Sequence, residues 1–159
     1  MLTMIQYLLA TLSLLGLALL LGATIYESVV MAPNYERDIP HSLGLARQFL
    51  VRTTPAHFFR VIAPLSLLLL AAGVIACWRI RGPRTWFLVA LCALAVGDVI
   101  TFAFHYPRLA VMFKSPLTED VSRLRRAAHE WAVGNLVRAT LIIVAFLSVL
   151  QAFAMLVAR

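Results

Sequence analysis

The sequence predicts an all-α integral membrane four-helix bundle, and three observations predict it. Hydrophobic residues make up 62% of the 159 positions, well above the roughly 45–50% of a soluble domain. Four apolar stretches, at about 5–27, 58–78, 85–106 and 129–157, each reach the roughly 20 residues that a membrane-crossing helix needs. Most charged residues fall between these stretches rather than within them. The chain therefore reads as one membrane domain, 1–159, with a lipid bilayer as its first partner.

The first stretch carries Gly16, Leu20, Ala23 and Glu27 on one face by helical spacing. Small residues there allow a neighbouring helix close approach. No Lys or Arg precedes its apolar run, so it is expected to be a retained anchor rather than a secretory leader. It is expected to end near Met31-Ala32-Pro33, because proline disfavours helix at the residue before it.

The connection that follows contains SLGLARQFLVR. Ser42 is the expected N-cap of a short interfacial helix whose apolar side is Leu43, Ala46, Phe49 and Leu50. Thr54-Pro55 reads as the N-cap and first residue of the second span, with Pro64 inside it. Arg79 to Arg84, containing Gly82-Pro83, is a tight turn to the third span, flanked by Trp78 and Trp86 as interface aromatics. The third span runs to His105-Tyr106, with a break expected at Pro107.

Thr118 is the expected cap of the last helix, with Glu119 and Asp120 in its first turn. Leu117, Val121, Leu124, Ala128 and Trp131 recur at steps of four and three, and the count continues through Asn135, Arg138, Ile142, Ala145 and Val149. This helix is expected to start outside the membrane and run through it, turning Trp131, Asn135 and Arg138 toward the bundle interior.

The net charge of +7 reads as loop charge near anionic lipid. The basic residues are dispersed among apolar ones, so no nucleic-acid partner is expected. Arg37, Arg47, Arg52, Arg60, Arg108, Lys114, Arg123, Arg125 and Arg126 lie on the side of the long connections, and Arg79, Arg81, Arg84 and Arg159 on the other. The larger group favours long connections on the cytoplasmic side; the dense turn at Arg79 to Arg84 favours the reverse, and orientation stays open. Cys77 and Cys92 form no C-x-x-C pair, so thiol–disulfide exchange is unsupported.

Two charges lie inside spans, Asp98 and Arg138, where each costs about 2.5–3.5 kcal/mol at the bilayer centre. Asp98 precedes His105 by two helical turns, and Arg138 follows Trp131 by two. At 1.5 Å per residue both lie roughly 10 Å below the same membrane face, and the spacing allows them to meet. Glu27, Asp98, His105, Asn135 and Arg138 are the candidate catalytic residues. Tyr26, His57, Arg60, Thr101 and Trp131 are the candidate ligand contacts. All four spans thus send polar groups toward one end, and the other end is apolar. That asymmetry predicts a pocket under the long connections, for a small hydrophobic molecule. A buried Asp–Arg pair also serves simply to fix helix register, and a non-enzymatic subunit or a lipid-like ligand carrier is the alternative. His57, His105 and His129 are the histidines from which a haem or metal site would be drawn. They form no H-x-x-x-H or E-x-x-H pair, and no cofactor is expected.

Two segments, GATIYESVVMAP and HEWAVGNLVRATL, resemble the anthrone-oxygenase-like family of small four-helix membrane proteins. The resemblance rests on Gly22, Glu27 and Pro33 and on Trp131, Asn135 and Arg138. It implies a bacterial inner-membrane location and oxygenation of an anthrone-like aromatic without metal or flavin. It further implies a base (His105, Glu27 or Asp98) and an oxyanion partner (Arg138 with Asn135). Association of copies in the membrane is left open.

Overall fold

The computed structural model describes residues 2–118 and 120–158. Glu119 and Arg159, read above as a first-turn acid and a loop cation, lie outside the described residues. The helices are α1 (Leu2–Tyr26), α2 (Ala32–Glu36), α3 (His41–Phe49), α4 (Pro55–Ala76), α5 (Arg81–Ile100), α6 (Tyr106–Lys114) and α7 (Val121–Val157). A π-helical turn at Glu27–Met31 joins α1 to α2, and a second at Thr101–His105 joins α5 to α6. The result is four rods long and apolar enough to cross a membrane: Thr3–Glu36, Pro55–Ala76, Arg81–Lys114 and Val121–Val157. They form an up-down-up-down square in which α1 and α5 each pack against α4 and α7. The outer faces stay apolar and exposed, as with Val61, Leu68 and Val99, which suits contact with lipid.

The first and third rods do not end at their prolines, contrary to the expectation from sequence. A proline ring clashes with the carbonyl four residues back in an α-helix. Here the helix widens just before each proline. The Ala32 amide bonds to the Glu27 carbonyl and the Tyr106 amide to the Thr101 carbonyl, each five residues back. Pro33 and Pro107 then fall in the first turn of α2 and α6, where a missing N–H is harmless. Gly82 and Pro83 likewise open α5 rather than interrupt a helix.

The two rods of 34 residues run roughly 50 Å at 1.5 Å per residue, beyond the ~30 Å hydrocarbon thickness. Together with the start of α7 they project on one side and form a cap. Two hydrophobic cores result. One lies along the membrane bundle, with Leu70, Phe87, Ala90, Ala145 and Val149 at its centre. The other lies in the cap and joins Tyr35, Ile39, Leu43, Met112, Leu124 and Trp131.

Helix α3 lies on the cap core through Leu43, with Ala46 and Leu50 packed beside it. Arg47 fixes it there, donating from Nε (3.0 Å) and Nη2 (2.6 Å) to the Met112 carbonyl, one of the four carbonyls α6 leaves open at its C-terminus. Phe49, expected on the apolar side, is instead exposed: the helix stops there, and Leu50 has left helical geometry. Ser42 is not its cap; its hydroxyl donates to the Tyr35 carbonyl at 2.6 Å. Nor does Thr118 cap α7. Asp120 does, accepting the Ser122 and Arg123 amides at 2.9 and 3.2 Å. Along α7 every stripe position from Leu124 to Val149 is buried, while Val121 is exposed.

Candidate functional site at the waist of the bundle

The site lies between the two cores, at the level of the π turns. Glu27 opens the first turn and His105 closes the second, on diagonally placed rods. From α7, which packs against both rods, come Gly134, Asn135 and Arg138. Helical periodicity places Asn135 and Arg138 on one face, and the missing side chain of Gly134 admits the neighbouring rod. A Cβ at Gly134 would stand 2.8 Å from the Phe104 ring and 3.0 Å from the His105 ring.

Arg138 donates from Nη2 to Glu27 Oε2 at 2.5 Å, and both side chains are about nine-tenths buried. Its guanidinium also lies 4.4 Å above the Phe59 ring centre, a cation–π contact that helps hold an arginine out of water. Asp98 is therefore not the ion-pair partner of Arg138. It stands within electrostatic reach, makes no hydrogen bond or ion pair among the described residues, and faces a cavity whose wall Arg138 shares. Both α1 and α5 adjoin α7, and one guanidinium serves the α1 side.

Two fully buried side chains lie beside the pair, Asn135 (0% exposed) and His105 (1% exposed). Neither makes a hydrogen bond of full geometry among the described residues; the Asn135 amide approaches Glu27 and the His105 ring the Gly134 backbone only as marginal contacts. A buried polar group left unpaired costs about 1–3 kcal/mol.

Two cavities flank this layer. The inner cavity, about 130 Å³, lies within the bundle between α4, α5 and α7. Asp98, Thr101, Arg60, Tyr106 and Arg138 supply its polar wall, and Leu20, Phe59, Leu94 and Ile142 part of the apolar one. The outer chamber, about 320 Å³, lies under the α3–α4 connection. Glu27 lines it, with Tyr35, Tyr106, Phe113 and Trp131 as aromatic walls and Arg60 and Lys114 as cations. Arg60 and Tyr106 belong to both walls and partition the two spaces.

The other candidates are distributed as follows. Trp131 is buried and tilted against Tyr35, ring centres 5.6 Å apart. Thr101 donates to the Gly97 carbonyl at 2.9 Å and lines the inner cavity. Tyr26 is exposed and lines an outer groove beside α3 instead. His57 is exposed and folds back on the α4 N-terminus, its Nδ1 accepting the Thr54 amide at 3.1 Å. His129 pairs with Glu36 at 3.3 Å on the surface of the cap. The three histidines considered for haem or metal are thus dispersed, and no group of three or more His, Cys, Asp or Glu gathers as a metal site among the described residues.

Tyr35, Tyr106 and Phe113 were not singled out from sequence. Tyr35 and Phe113 lie beyond the expected span ends, where helix was not anticipated. Comparison with protein families, with curated proteins and with solved structures finds no match to this chain. The four apolar rods identify the class, an integral membrane helical bundle.

Proposed function

We propose that this bundle binds a small, largely apolar molecule carrying one acidic or enolisable oxygen function. Its ring system occupies the outer chamber, and its polar end meets Glu27 and Arg60. The observation that carries this reading is the polar layer itself. A buried ion pair whose carboxylate opens on an aromatic-walled chamber lies beside a fully buried asparagine and histidine that the fold bonds only marginally. Helix register alone needs one such pair; it does not call for two further weakly bonded polar groups beside it. The chamber volume of about 320 Å³ falls within the range of small-molecule sites, roughly 300–1,000 Å³.

The resemblance to the anthrone-oxygenase-like family supports a reaction at this place. A carboxylate takes one proton from a CH2 group activated by a ring ketone. The negative charge rests on the ketone oxygen, near Arg60. Dioxygen adds to the carbanion carbon, and the peroxide anion takes up the proton held by the base. Loss of water then leaves a second carbonyl. In sum CH2 and O2 give C=O and H2O; the carbon loses four electrons and dioxygen gains them. Glu27 lines the larger chamber and is favoured as base over Asp98, which lines the smaller one, and over His105, which lines neither. Arg138 then acts as the positioning residue for Glu27.

Anthrone itself tests this. Purified protein is expected to be stabilised against thermal unfolding by anthrone, to consume dioxygen with it mole for mole, and to release anthraquinone. Arg60→Gln, at an exposed position, leaves the fold intact and weakens both effects. Stabilisation without dioxygen uptake turns the reading into that of a carrier. No stabilisation by anthrone or by related phenols removes the binding site altogether.

A further inference from the structure

Three rim residues of the inner cavity, Arg60, Pro64 and Phe102, are themselves exposed, Phe102 to 66%. The cavity therefore reaches the outside between α4 and α5. Pro64 lies nine residues into α4, roughly 13 Å along the axis by helical rise, which sets this mouth within the hydrocarbon layer. The exposed residues around it point the same way: Val61 and Leu65 on α4, Val96 and Val99 on α5. Apart from Arg60, on the side of the rim toward the cap, none of the exposed residues around the mouth is charged.

Local backbone chemistry explains why the opening is here. Pro64 cannot donate to the Arg60 carbonyl, so α4 lacks one internal bond at the rim. On the facing rod the rim falls on the second π turn, where the helix is widened and Phe102 points out. Phe102 stacks edge-on against Tyr106, ring centres 5.2 Å apart. Tyr106 in turn is half of the partition toward the outer chamber. A rotation of these two rings, with the long Arg60 side chain, connects lipid, inner cavity and chamber in sequence.

We propose that the inner cavity is a membrane-side portal, through which apolar molecules dissolved in the bilayer pass between α4 and α5 to the Glu27–Arg138 layer. The portal deepens the binding reading above and rests on it for its purpose, but its existence is tested without any ligand for the chamber. Single cysteines are placed in a Cys77→Ala/Cys92→Ala background at Thr101 and, as a second cavity position, at Ala93; a third, at Lys114, marks the outer chamber. The proteins are reconstituted in vesicles and treated with N-cyclohexylmaleimide, which partitions into lipid, or with charged methanethiosulfonates, which stay in water. Thr101→Cys and Ala93→Cys are expected to be fully modified by the maleimide, with complete loss of labelling by the charged reagents. Lys114→Cys is expected to take both. If the charged reagents modify the cavity cysteines as they do Lys114→Cys, the route is aqueous and the proposal is overturned. If neither reagent reaches either cavity cysteine, the mouth is closed and it is overturned equally. Both results leave anthrone binding in the chamber to stand or fall on its own measurement.

Discussion

The membrane half and the waist are built from the same helices and pack in opposite ways. In the membrane half, beyond the inner cavity, the interior is closely packed. Gly73 lies so close to Phe87 that a Cβ would stand 2.4 Å from the ring, and Gly16 brings α1 against Ser66. Two of its polar side chains act as ties, Gln6 donating to the Ala76 carbonyl at 2.7 Å and Tyr7 to that of Leu156 at 2.8 Å, while the small Ser13 and Ser66 hydroxyls are packed without a hydrogen-bond partner among the described residues. At the waist two rods change pitch, an ion pair replaces aliphatic contact, and cavities open on either side. Regular helices close the bundle; the irregular turns hold it open where the ionisable groups are. π turns inside α-helices recur at functional sites for this reason.

The contrast breaks most severely at Arg138. Arg138→Met leaves Glu27 as an unpaired carboxylate in the bundle, a change expected to cost about 3–5 kcal/mol. The double variant Glu27→Gln/Arg138→Met removes both charges and is expected to recover most of that loss, without recovering ligand binding. Unfolding in detergent followed by circular dichroism gives both numbers. A double variant no more stable than Arg138→Met shows that the pair is not what the waist depends on.

The glycines sharpen the same contrast. Gly73→Ala drives a methyl into the fully buried Phe87 ring and is expected to destabilise by about 1–3 kcal/mol through overpacking. Gly134→Ala meets the half-buried Phe104 ring at 2.8 Å and the buried His105 ring at 3.0 Å, looser contacts than the 2.4 Å at Gly73. Both helices gain up to about 1 kcal/mol from replacing glycine, so the smaller steric conflict at Gly134 gives the smaller net loss. Gly22→Ala meets nothing within 4 Å and is expected to be neutral or stabilising. Thermal unfolding of the three variants checks the order, and equal losses at Gly73 and Gly134 mean that the waist is packed as rigidly as the membrane half.

Much of this was legible in the sequence. Four spans, the α7 stripe and the polar asymmetry follow from hydropathy and from steps of three and four. The π turns were not, because the proline rule applied to Pro33 and Pro107 predicts an end, and residue types do not show a change of pitch. A trace of it exists in the burial pattern: buried positions on the first rod step by three or four from Ala10 to Glu27, then by five to Ala32. The partner of Arg138 was also misplaced. Counting along a helix gives depth, which matched Arg138 to Asp98, but it does not show which of two adjoining rods a guanidinium turns to. The chamber walls from Tyr35 and Phe113 were hidden by the same premature span ends.

The mildest change concerns the cap, where the first turns of α7 help enclose the chamber through Trp131. Asp120 is fully exposed, and its carboxyl lies below its ordinary pKa, chiefly because the Ser122 hydroxyl donates to it at 2.7 Å and also because the Arg123 amide does. A folded-state value below the unfolded one means that this cap stabilises α7 above the unfolded pKa of about 3.9. The contribution fades as pH falls through the lower folded value. Amide exchange in Ser122 to Leu124 is therefore expected to gain protection relative to Asp120→Asn as pH rises from the most acid conditions toward neutrality. The Glu27–Arg138 layer, nearly five turns further along α7, is expected to show no matching change. If the waist loosens together with the cap over the same acid range, the two regions are a single cooperative unit, and the division drawn between them does not hold.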